Sequence, residues 1–247
     1  MTEPIVLRTD RDDGLTILTL NRPDKRNALN VAVFMQLREH LVSIEQDPAI
    51  GCVVLRGAGP AFSAGADLGR DALNEHEPDP HFKAETVDAL EALPCPTIAR
   101  LNGYCLTGGL ELALACDLLI AGASTTFADT HGTWGLVPGW GLSVRLPERV
   151  GRSMAKELSF TSRRIGADEA HTIGLIDRVV PDEQLDGTVD QLAAAILANS
   201  RDANRMVKAI QRDHAELTRQ EALAHERSLP YGRPADMGER LRSSAHG

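Results

Sequence analysis

The sequence predicts an α/β core followed by a helical segment. Two observations carry this. Short apolar runs bounded by turn formers alternate with stretches of helical period as far as Val180, and from Asp182 onward only helical stretches follow. No repeat of solenoid period is superimposed on that alternation.

Ile5 to Arg8 and Leu15 to Leu20 read as two strands around an Asp-Arg-Asp-Asp-Gly turn, hence a hairpin. Asn21-Arg22-Pro23-Asp24 breaks the second strand. Asn30 is placed to cap a helix running to about Gln46, with Val31, Val33, Phe34, Leu37, Leu41 and Ile44 forming one apolar stripe. Cys52 to Leu55 is continuously apolar, the pattern of a strand buried on both faces. Gly57-Ala58-Gly59-Pro60 ends it. The run Ala61 to Leu68 is built of small residues that let a ligand approach the backbone. Asp71 to Lys83 is polar, with Glu-His-Glu-Pro-Asp-Pro at its centre, and reads as a mobile surface loop. A helix from about Ala84 to Leu93 leads through Pro94 and Pro96 into a strand at Thr97 to Leu101.

Beyond Asp117 come strands at Leu118 to Ala121 and Thr125 to Ala128, and a loop or short helix from Asp129 to Pro138 that holds His131 and Trp134. After the sharp turn Pro138-Gly139-Trp140-Gly141, helices are expected at Leu142 to Val150, Met154 to Phe160 and Ala167 to Ile173, then a strand at Leu175 to Val180. The helical segment comprises Gln184 to Ser200, Asp202 to Glu216, Gln220 to Leu229 and a last short helix. The division expected is a core over 1–185 and a helical region over 186–247.

Composition narrows the partners. The balance of 26 basic and 35 acidic residues gives a net charge of −9, which argues against nucleic acid. Cys52, Cys95, Cys105 and Cys116 lie in apolar segments without C-x-x-C spacing, so buried free thiols are expected rather than zinc. There is no dinucleotide-binding Gly-x-Gly-x-x-Gly, and neither a metal nor a redox cofactor is implied. No apolar run approaches the ~20 residues of a membrane span, and the first residues lack the pattern of a signal peptide. A cytoplasmic protein without membrane partners is the expectation.

The stretch Ala99 to Asp117 concentrates the chemistry. A buried strand crosses a loop with Asn102, Gly103, Thr107, Gly108 and Gly109 and enters a short apolar helix. Backbone N–H groups at such a helix start point outward unpaired and stabilise an anion, including one that exists only in a transition state. Glu111 is the carboxylate in the first turn of that helix, a candidate acid or base. A Glu in a first helical turn also interacts with the helix dipole, for roughly 0.3–1 kcal/mol.

In order and spacing, Asn21-Arg22-Pro23 with Asn27-Ala28-Leu29, Ala61-Phe62-Ser63-Ala64-Gly65-Ala66-Asp67-Leu68, Asn102-Gly103-Tyr104 with Gly108 to Ala113, Cys116-Asp117, Pro138-Gly139 with Arg145-Leu146, and Ala167 to Val180 together resemble the enoyl-CoA hydratase (crotonase) family. The resemblance covers about residues 5 to 185. It implies a spiral of β-β-α units, a C-terminal helical region that builds a homotrimer or a hexamer (dimer of trimers), and an acyl-CoA substrate. Coenzyme A is then part of the substrate and no separate cofactor is needed. The thioester oxygen becomes an enolate-like oxyanion held by the N–H groups of Ala66 and Gly108. Substrate contacts are implied near Arg26 and Ala28 and on the backbone of Ala64, Asp67 and Leu68, with Arg26 either facing a CoA phosphate or standing as a solvated charge in the Asp24-Lys25-Arg26 run. Trp134 and Trp140, with the 71–83 loop, are expected to shape the acyl pocket. In the family the C-terminal region often completes the CoA site of the next subunit, for which Tyr231 and Arg233 are candidates.

Hydratases of the family use two glutamates facing one water. The first corresponds to Glu111. The second would stand at His131, and a proline at Thr130; the glycine run begins with Thr107. Three readings follow. In the first, Glu111 positions water and His131 replaces the second acid in addition of water to a 2-enoyl-CoA. In the second, the same oxyanion hole serves thioester hydrolysis, decarboxylation or C–C cleavage. In the third, the chain is a non-catalytic CoA-binding subunit.

Overall fold

The structure, a computed structural model, describes residues 4–73 and 75–244. Two strands, β1 (Val6–Asp10) and β2 (Leu15–Leu20), form the predicted antiparallel hairpin. Helix α1 (Val31–Glu45) follows, and the Asn30 side chain caps it by accepting from the Val33 N–H. Strand β3 (Cys52–Gly57) pairs parallel with β2. The short helix α2 (Arg70–Leu73) and α3 (Phe82–Glu91) precede β4 (Thr97–Leu101). Next come β5 (Tyr104–Leu106), α4 (Gly108–Leu114), β6 (Leu118–Gly122) and β7 (Thr126–Ala128).

The chain continues through α5 (Leu142–Val150), α6 (Arg152–Thr161), the two-residue β8 (Ile165–Gly166), α7 (Ala167–Thr172) and β9 (Arg178–Val180). It ends in α8 (Leu185–Leu197), α9 (Arg201–His214), α10 (Arg219–Arg227) and α11 (Met237–Ser244). Successive units send their first strand to one sheet of order β1-β2-β3-β4-β6-β9 and later strands to a small sheet, β5-β7-β8. The chain therefore spirals.

The large sheet is buried on both faces, and strand periodicity sorts its side chains. Leu18, Leu20, Val53, Leu55, Ala99, Leu101, Leu119 and Ala121 join the main core with Phe34, Leu37 and Leu41 of α1. The alternate residues Leu15, Cys52, Val54, Ile98 and Ile120 pack against Leu185, Val189 and Ala193 of α8. The expected boundary at 185 thus falls at the first residue of a helix that covers the second face of the sheet. All four cysteines are buried free thiols.

Two segments differ from expectation. The polar stretch after Asp71 holds the end of α2 and is tied down: Glu75 Oε2 accepts from the Val31 N–H at 2.7 Å, and Glu77 pairs with Lys83 at 2.8 Å. An anion at the N-terminus of α1 is favoured by the helix dipole. Asn74 of that stretch lies outside the described residues. Strand β9 begins at Arg178 rather than Leu175, because Leu175 and Ile176 bond back to the Ala170 carbonyl at the end of α7.

Candidate active site

Two isolated bridges join the small-residue run to the rest of the site: Leu29 with Ala66, and Ser63 with Cys105. In the first, the Leu29 N–H donates to Gly65 O and the Asp67 N–H donates to Leu29 O. That parallel pattern consumes the groups flanking Ala66 and turns its own N–H to the opposite side. Gly65 has φ +95°, and a Cβ there would lie 2.9 Å from Leu106 O and 3.3 Å from Gly108 N. A side chain would force the two loops apart. The Ala66 loop therefore abuts the start of α4, where Gly108 N opens the helix. Among the described residues, neither the Ala66 nor the Gly108 N–H has an acceptor.

Glu111 stands one turn into α4 and is 1% exposed. Its Oε1 accepts from the backbone N–H groups of Trp140 at 2.8 Å and Leu142 at 3.2 Å. Burial pushes its carboxyl above the usual range, against those two hydrogen bonds and the charge of His131. Its Oε2 lies 3.8 Å from His131 Nε2. His131 is held from behind: Asp129 Oδ1 is 2.7 Å from Nδ1 and accepts from the His131 backbone N–H at 3.1 Å. Burial works against ionisation of Asp129, but hydrogen bonds from His131 and Ser159 hold its carboxyl below the usual range.

Thr107 precedes Gly108 with φ 51° and ψ −112°, a backbone that disfavours side chains. Its hydroxyl shares a short hydrogen bond with that of Thr130 and accepts from the Thr130 N–H at 3.1 Å. Thr107 thus ties the helix start carrying Gly108 and Glu111 to the loop carrying His131.

The structure brings Ala66, Gly108, Glu111 and His131 into one place, with Ala64 and Asp67 on the same loop. The Ala64 N–H donates to Arg26 O, and Leu68 is 39% exposed. The Arg26 side chain is exposed and sits over the Tyr104 ring, 5.4 Å from its centroid. Trp134 is 63% exposed, whereas the Trp140 indole packs onto Gly108, where a Cβ would lie 2.4 Å from the ring. Tyr231 donates to Asp213 of its own chain at 2.6 Å.

Supporting residues escape a reading by composition. Arg22 donates to Ala28 O and pairs with Asp67 at 2.8 Å, and Asn27, at φ 54°, donates to the Ala58 and Ala61 carbonyls. Buried Arg145 bonds Asp88, Glu91 and the Trp140 carbonyl. Spacing names these positions as motif members but not which side chain reaches which carbonyl.

The enoyl-CoA hydratase/isomerase family model matches residues 10–237. The chain belongs to that family. It is 36% identical over 215 residues to the crotonyl-CoA hydratase of Syntrophomonas wolfei subsp. wolfei, covering 84% of this chain and 80% of that one. The crystal structure of enoyl-CoA hydratase from Bacillus anthracis superposes with a TM-score of 0.92 at 32% identity, covering 98% and 96% of the two chains. A Thermobifida fusca YX structure in complex with acetoacetyl-CoA superposes with a TM-score of 0.86 at 29% identity, covering 95% and 96%. The spiral is thus the crotonase fold. Among the described residues no helix is long and apolar enough to cross a membrane.

Proposed function

We propose that this chain adds water to a 2-enoyl-CoA thioester. The observation that carries the reading is the 3.8 Å separation of Glu111 Oε2 from His131 Nε2, beside the Ala66 and Gly108 N–H groups, which have no acceptor among the described residues. The gap is too long for a direct hydrogen bond. A single oxygen at about 2.8 Å from both atoms would subtend roughly 85°, so one water can contact the two at once.

The Glu111–His131 pair holds one proton. Its unprotonated member takes a proton from the water as the oxygen bonds to C3. The C2–C3 double-bond electrons move toward the thioester, whose oxygen gathers charge under the Ala66 and Gly108 N–H groups. The protonated member then supplies C2. The pair ends with one proton, as it began. An oxyanion hole of this kind contributes about 3–4 kcal/mol per donor in the transition state.

For substrate capture, Arg26 faces a CoA phosphate with Ala28 beside it, while the backbone of Ala64, Asp67 and Leu68 contacts the CoA moiety. Trp134 borders the acyl entrance and Trp140 its inner wall. The assembly inferred is a homotrimer or a dimer of trimers, in line with exposed apolar side chains such as Val137 (83%) and Phe160 (81%); the compartment inferred is the cytoplasm.

The test is loss of the conjugated enoyl-thioester absorbance on mixing with crotonyl-CoA near neutral pH. Glu111→Gln is expected to lower the rate by roughly 10²–10⁴-fold. Tight binding without absorbance loss would move the chain to another acyl-CoA chemistry or to a binding role.

A further inference from the structure

The buried Asp129 takes no part in the scheme above, yet among the described residues its carboxylate is the hydrogen-bond partner of His131 Nδ1. We propose that Asp129 is a positioning residue: it keeps a proton on His131 Nδ1 and so leaves Nε2, the nitrogen facing Glu111, to exchange protons with the reacting water. The inference rests on the reading that His131 belongs to the acid–base pair.

The geometry is specific. One oxygen, Oδ1, accepts both from Nδ1 at 2.7 Å and from the His131 backbone N–H at 3.1 Å, which fixes the ring by its side chain and its own backbone together. Thr130, between the two residues, is anchored to Thr107 through its N–H and its hydroxyl. The imidazole therefore has little freedom to turn.

An ionised carboxylate accepts and cannot donate, so the nitrogen beside it must carry the hydrogen. The tautomer with hydrogen on Nε2 and a bare Nδ1 would set a lone pair against Asp129. When Nε2 takes up the water proton, the resulting imidazolium is stabilised by the carboxylate behind it. Asp129 itself stays ionised throughout.

The test uses the full chain and two readouts. Ring ¹⁵N resonances of His131, assigned by their loss in His131→Gln, report the tautomer in the ligand-free protein. Steady-state hydration of crotonyl-CoA reports kcat and KM. In the unaltered protein Nδ1 is expected to be protonated. Asp129→Ala is expected to populate the Nε2–H tautomer and to lower kcat about 100-fold, with KM within about threefold. Asp129→Asn retains an oxygen acceptor at the same place and is expected to fall between, which separates lost charge from lost packing. In the His131→Gln background, Asp129→Ala is expected to cost no further rate.

A folded Asp129→Ala or Asp129→Asn protein with unchanged His131 tautomer and rate would overturn the proposal. So would an equally large loss of rate in the His131→Gln background, which would mark Asp129 as merely structural. If the protein does not hydrate crotonyl-CoA at all, the resonances still decide the tautomer, so the two failures are distinguishable.

Discussion

Glu111 and Asp129 are both buried acids, and they pull stability in opposite directions with pH. Burial holds the Glu111 carboxyl above the usual range. From that range upward the native state keeps a proton that the unfolded chain has released, so stability falls as pH rises through the window. Glu111→Gln removes this loss while its amide oxygen still accepts from Trp140 and Leu142. Thermal melts should show the variant at least as stable as the parent at neutral pH, with its advantage shrinking as pH falls below the carboxylate range. A variant less stable at every pH would contradict the assignment. Asp129 is held below the usual range despite its burial, so its contribution is present above that range and is lost as pH falls through its folded value. The same carboxylate makes a simple return to two glutamates costly. In His131→Glu a second acid would stand against Asp129, which now lies 2.7 Å from the imidazole. His131→Glu alone is therefore expected to hydrate crotonyl-CoA more slowly than His131→Glu combined with Asp129→Asn, in a direct rate comparison. Equal rates would show that Asp129 does not act on position 131.

Between elements, the coupling of α4 to the loop after β7 runs through Thr107. Its strained backbone costs about 1–3 kcal/mol, against about 0.5–1.5 kcal/mol for each of its two hydrogen bonds to Thr130. Thr107→Gly removes both strain and hydroxyl, whereas Thr107→Ala removes only the hydroxyl. Chemical denaturation should therefore rank Thr107→Gly above Thr107→Ala; the reverse order would mean that the backbone there carries no strain. Elements with a long apolar period were legible in the sequence: α1 with its Asn30 cap, and β3, β4 and β6, whose continuous apolar runs reflect burial on both faces. The three-residue β5 and two-residue β8 were not, because so short a segment has no period of its own and exists by pairing with β7. For the candidate site the split is similar. Glu111 stands out as a lone carboxylate in an apolar helix start. Asp129 does not, because an Asp two residues before a His is common, and only the fold of the loop shows that the two side chains meet. The links from Arg22 to Asp67 and from Arg145 to Trp140 join distant segments and leave no local trace.

Across the whole molecule, the C-terminal helices brace the large sheet and the turns that lead into it. Helix α8 closes the second face of the large sheet. Arg201 and Arg205 of α9 donate to the carbonyls of Asp13, Asp47, Ala49 and Ile50, around the turns that precede β2 and β3. The net charge of −9 opposes approach of a polyanionic thioester, so capture depends on local cations. Arg26→Gln should accordingly raise KM for crotonyl-CoA with little change in kcat; an unchanged KM would remove Arg26 from the CoA site. On the proposed reading, a carboxyl and an imidazole, sharing one proton, do the work of the two glutamates that hydratases of the family use. The most direct test of that reading is the pH dependence of kcat/KM for crotonyl-CoA hydration, with and without His131→Gln. The expected profile is a bell, because the pair fails on losing its proton and on gaining a second, and one limb is expected to disappear in the variant. Hydration with the same profile in both proteins would contradict that reading.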